Sequence, residues 1–109
     1  MFDNSRYISV GIKTNIPAEL TVLLFTLIDV LKFETKELDY LQIFEVTVIP
    51  EDDMYKCIII HSQEQPEYKR EHEFYIKEKP ELSEFKIYVI DEHTEGWDGY
   101  TTMILAEEY

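Results

Sequence analysis

The chain has 109 residues, 45% of them apolar, with 10 Lys and Arg against 23 Asp and Glu for a formal charge of −13. That length makes a single domain, 1–109, able to bury roughly two thirds of its unfolded surface, and eight Tyr and six Phe supply a core, which argues against disorder. The charge disfavours phosphate backbones and anionic membrane as ligands, and the single cysteine, Cys57, excludes an intramolecular disulfide framework.

Residues 1–6 show no cationic start followed by an apolar block, and no apolar run approaches the ~20 residues that cross a bilayer, so a cytoplasmic protein is expected. Over 6–13, Ile8, Val10 and Ile12 alternate on one side and predict a first strand, with Gly11 marking a bulge or a close backbone approach. Asn15 is the expected N-cap of a helix over 17–33, with Pro17 in the first turn and Glu19 at the positive end of the dipole. Ile16, Leu20, Leu23, Leu24, Leu27, Ile28 and Leu31 recur at helical spacing and form the face that packs on a sheet.

Only strand-like segments follow. They span 40–49, closed by a turn at 50–53, then 55–63, rich in isoleucine, then 68–76, whose outward charges suit an edge. A last hairpin over 85–91 and 100–107 has Gly96 and Gly99 in its loop. The expected fold is α+β, one helix packed on a mostly antiparallel sheet in the order β-α-β-β-β-β-β, with late connections short enough for a meander. Strand order is left open.

Motifs for chemistry are sparse. Cys57 and His61 lie on one side of a strand but roughly 13 Å apart, too far to share an ion. His61 and His72 meet only if their strands are neighbours, and none of the usual Cys/His spacings is present. His61 and Ser62 point to opposite faces, there is no nucleophile elbow, and three glycines form no phosphate loop. No catalytic residue, metal ligand or cofactor is therefore expected; Asp91-Glu92-His93 reads more simply as a polar hairpin loop.

Two surfaces stand out instead. On the helix, Val22, Phe25 and Phe33 fall with Ala18 and Asp29 opposite the core stripe, an apolar set expected to face water. In the loop 93–99, Trp97, the only tryptophan, sits among acids and glycines, and either protrudes as an anchor or folds back on the sheet end.

Four segments carry a resemblance when taken together. They are 6–11 with Ile16-Pro17-Ala18-Glu19-Leu20, then 37–45, then His61-Ser62-Gln63-Glu64 with Pro66-Glu67-Tyr68, and last Thr102-Met103 with 105–109. They resemble a small family of uncharacterised proteins from low-GC Gram-positive bacteria and their mobile elements. The resemblance implies a bacterial cytoplasmic setting and a self-contained domain, and transfers no functional residue. The leading expectation is a non-enzymatic accessory or interaction protein, bound to an unknown protein partner or to itself through Val22, Phe25, Phe33 and Trp97. The rivals are an acidic mimic of nucleic acid that blocks a basic protein, and a small carboxylate/histidine enzyme.

Overall fold

The alternation of apolar residues in the later strands and the 3.6-residue stripe of the helix together build one sheet with helices on one side. In the computed structural model, which describes residues 1–35 and 37–109, the elements run β1 (Ser5–Ile8), α1 (Val10–Asn15), α2 (Ala18–Glu34), β2 (Leu41–Glu51), β3 (Met54–Gln63), β4 (Tyr68–Ile76), β5 (Glu84–Thr94) and β6 (Trp97–Leu105). A single turn of tighter helix, Ala106–Glu108, ends the chain. The α+β reading, helix on a mostly antiparallel sheet, is the observed architecture.

The first strand is shorter than the alternation suggested. It stops at Ile8, because Ser9 caps a short helix: its hydroxyl accepts from the backbone N–H of Ile12 at 3.2 Å. Val10 therefore points outward while Ile12 is buried in the core, a split that a strand would not produce. The Ser9 hydroxyl in turn donates to Glu108 at 2.6 Å, and that carboxylate also accepts from the N–H groups of Gly11 and Leu105. A Cβ on Gly11 would stand 2.5 Å from the Glu108 carboxyl, so Gly11 marks a close approach within a helix rather than a bulge.

Asn15 is not the cap that its side chain suggested. It closes α1, donating to the carbonyl of Gly11 at 2.9 Å, and α2 opens on Pro17 with no side-chain cap. Pro17 has no N–H to satisfy there, and Glu19 in the first turn accepts from the backbone N–H of Lys77, fixing the helix start to the segment after β4. Leu20, Leu24, Leu27 and Ile28 then bury against the sheet, where they share one core with Phe44, Val46, Ile59, Ile87 and Met103, and Leu31 is buried near the helix end.

Strand order is β1-β6-β5-β2-β3-β4. All neighbours are antiparallel except β1 and β6, which run parallel from Ser5↔Tyr100 to Ile8↔Met103. This departs from a simple meander: the segment 77–83 travels along the end of the sheet, past β3, and delivers β5 to the free side of β2. Val48 donates to the carbonyl of Ser83 at 2.8 Å, and Glu81 to that of Asn15 at 3.1 Å, so the crossing segment is anchored at both layers. β2 and β5 thus occupy the centre.

Candidate functional site

The buried polar groups serve the fold. His61 is fully buried between sheet and helix, stacked 4.4 Å from Phe44 with Tyr68 edge-on at 5.4 Å. Its Nε2 lies 2.7 Å from Gln42 Oε1. The Gln42 amide nitrogen donates to the Asp39 carbonyl and to Gln63 Oε1, which also accepts from the N–H of Asp39. Gln63 Nε2 completes the series at the carbonyls of Glu37 and Pro66. With both amides oriented by backbone groups, Gln42 Oε1 must accept, so the His61 proton sits on Nε2.

Desolvation drives the His61 pKa down to about 4, so the ring is neutral at physiological pH. His72 sits diagonally across on β4, and burial lowers its pKa too. Their strands are indeed neighbours, yet among the described residues no three His, Cys, Asp or Glu side chains gather as a metal site would require. Cys57 is buried, and burial pushes its thiol up to about 11, away from the thiolate that nucleophilic chemistry needs.

At the other end of the sheet, Asp91 is buried and binds the N-terminus. Its carboxylate accepts from the N–H of Phe2 at 2.7 Å and from Asn4 Nδ2 at 3.0 Å, with His93 Nδ1 at 3.2 Å. Asn4 also accepts from the Thr101 hydroxyl and donates to the carbonyl of Asp98. A cleft of about 330 Å³ opens here, lined by Asp3, Asn4, His93, Trp97 and Asp98 among others. An imidazole held by a carboxylate is half of a general-base unit, and the lining also holds the Thr94 hydroxyl, while the Asp91 oxygens are engaged in holding the chain.

The residues singled out on the helix separate. Val22 is 64% exposed and Phe33 96% exposed, whereas Phe25 is partly buried beneath Arg6, whose guanidinium lies 5.1 Å from the ring centre. Arg6 is held in place by two bonds to Asp29 at 2.5 and 3.1 Å. A charged clamp therefore lies between the exposed ends of the stripe. Trp97 is half exposed and leans edge-on against Tyr100 at 6.0 Å, while Tyr100 meets Tyr7 at 5.9 Å.

That row of aromatic rings borders a further apolar surface, the sheet face turned away from the helices. Register places Leu41, Ile43, Ile58, Ile60, Tyr88, Ile90 and Ile104 on that face, and each keeps part of its surface in water. Glu45 and Lys86 stand directly opposite each other at its middle. Strand alternation alone does not reveal this face. The informative signal was the opposite: Ile43-Phe44, 57–60, 88–90 and 103–105 are apolar at successive positions, the pattern of strands covered on both sides. The helices cover only one.

Fold and surface together define a helix-backed α+β domain with an uncovered apolar sheet face. Residues 5–108 match the family described as staphylococcal protein of unknown function (DUF960), and the chain belongs to that family. A crystal structure of a protein of unknown function from Enterococcus faecalis superposes with a TM-score of 0.72 at 20% identity, covering 98% of this chain and 92% of that one, which establishes a shared fold. No curated protein matches the chain. Among the described residues, no helix is long and apolar enough to cross a membrane.

Proposed function

We propose that the chain is a non-catalytic, cytoplasmic bacterial interaction domain that works through the uncovered face of its sheet. The observation that carries this reading is the double-sided apolar patterning of β2, β3, β5 and β6, of which the chain's own helices use one side. The aromatic row Trp97, Tyr100 and Tyr7 extends that face along one edge, and Val22 with Phe33 offers a second, smaller contact on the helix. A single buried cysteine without a disulfide suits the reducing cytoplasm.

The rival readings have less support. Mimicry of nucleic acid needs a ridge of free acids, but of the six acids in 87–109, Asp91 binds the N-terminus and Glu108 holds α1. A histidine enzyme needs a cleft at His61 or His72, and the cleft that reaches Gln63 and Tyr68 is lined by neither. Ile43→Asp tests the interaction reading. Because Ile43 keeps only part of its surface in water on a central strand, the substitution is expected to cost about 2 kcal/mol in folding, checked by denaturant unfolding, while abolishing protein association. If every association measured for the wild type survives in a folded Ile43→Asp variant, the reading is wrong.

A further inference from the structure

Resting on that interaction reading, we infer that the occupant of the open sheet face is a second copy of this chain, packed face to face about a two-fold axis running along the strands between β2 and β5. The sheet itself supplies the axis. In the order β1-β6-β5-β2-β3-β4, its midline falls between β5 and β2, and rotation about that line lays β2 over β5 of the second copy, β3 over β6 and β4 over β1. A two-fold contact must be self-complementary, each patch meeting its own register partner.

The register meets that condition. Glu45 pairs in register with Lys86, Ile43 with Tyr88 and Leu41 with Ile90, so the rotation sets each opposite its register partner in the second copy. Glu45 then faces Lys86 of the other chain, and Lys86 faces its Glu45. Both side chains are exposed, and neither makes an ion pair among the described residues, although they stand across from each other on adjacent strands. The Lys86 ammonium lies over the Tyr88 ring, 5.8 Å from its centre, and pairing Glu45 with Lys86 twice across the interface offsets the desolvation of these charges and fixes the register of the two sheets. Face-to-face sheets cross at roughly 30°, which leaves the residues beside the axis in the closest correspondence.

Area agrees with this placement, while net charge opposes it. Glu45, Glu51, Glu71, Glu73, Glu84 and Glu92 share the face with Lys56, Lys69 and Lys86, so the favourable electrostatics are confined to the central Glu45 and Lys86, and added salt should strengthen association by screening the rest. Six strands ~4.8 Å apart and ~9 residues long present a plate on the order of 700 Å², close to the ~800 Å² that each partner of a stable complex buries.

Light scattering across a dilution series, with thermal unfolding of every variant, tests the inference. The wild type is expected to be a dimer. Glu45→Lys and Lys86→Glu each place like charges across the axis and should raise the dimer dissociation constant at least tenfold. An equimolar mixture of the two variants restores opposite charges at both contacts and should associate again as a mixed pair. A wild type that is monomeric at several hundred micromolar overturns the inference, and so do folded variants that dimerise unchanged or fail to re-associate on mixing. An apolar fluorescent dye separates this failure from that of the interaction reading. A monomer that binds dye, with binding weakened by Ile43→Asp, loses only the second copy; a monomer that binds none loses both.

Discussion

A histidine sealed between a helix and a sheet has to stay neutral, and His61 shows the consequence for stability. The unfolded ring takes up a proton near pH 6.5, while the folded one resists until about 4. Between those values the unfolded state binds more protons, so stability is fully present above 6.5, falls through the window by up to about 1.4 kcal/mol per pH unit, and levels off below it. His72, lowered by burial as well, acts in the same direction. Urea unfolding at pH 7.5 and 5.5 should show that loss, and the His61 ring resonance should hold steady over the same range; a ring that titrates near 6.5 refutes the sealed geometry. The hairpin glycines permit a second test. Gly99 has φ +65, and an added Cβ would lie 1.5 Å from the Glu92 carbonyl oxygen, whereas Gly96, at φ +80, has open space around it. Gly96→Ala should cost about 1 kcal/mol from backbone conformation alone, and Gly99→Ala several times that through loss of the hairpin, both read from denaturant midpoints.

At the scale of elements, the legible parts were those whose pattern had a single physical meaning. The α2 stripe could only be a helix on a core, and the observed bounds differ from the expected ones by one residue at each end. The isoleucine-rich strands were equally clear. Segment 9–15 was not, because Ile8, Val10 and Ile12 alternate whatever the backbone does, and the choice fell to a carboxylate at the far end of the chain. Glu108 accepts from the Ser9 hydroxyl, whose bond chiefly lowers its pKa, and from two backbone N–H groups beside it. A depressed carboxylate stabilises the fold above its ordinary pKa and loses that contribution as pH falls. Glu108→Gln, which keeps the shape and removes the charge, should cost about 1 kcal/mol, or roughly 4–8 °C in Tm, measured calorimetrically at pH 7. An unchanged Tm at pH 7 would mean that α1 holds its form without the latch.

At the scale of the whole molecule, topology was the least legible feature. A segment of seven residues, 77–83, could have turned back beside β4, and only anchoring to Val48 and Asn15 commits it to cross the sheet end. The site candidates suffered from the same blindness, since which face of a strand stays uncovered depends on where the helices land. The parallel pairing of β1 with β6 carries one more consequence, for the chain's birth rather than its finished form. A ribosome releases β1 long before β6, so β1 lacks its neighbour until β6 emerges, and β2 exposes a bare edge until β5 arrives. Joining ends so far apart in sequence exacts a loop-closure entropy that no local contact refunds early. The sheet therefore closes only once β6 has emerged, and a chain stopped between β5 and β6 would leave β1 without its neighbour and β5 with an open edge, the kind of species that chaperones and proteases intercept.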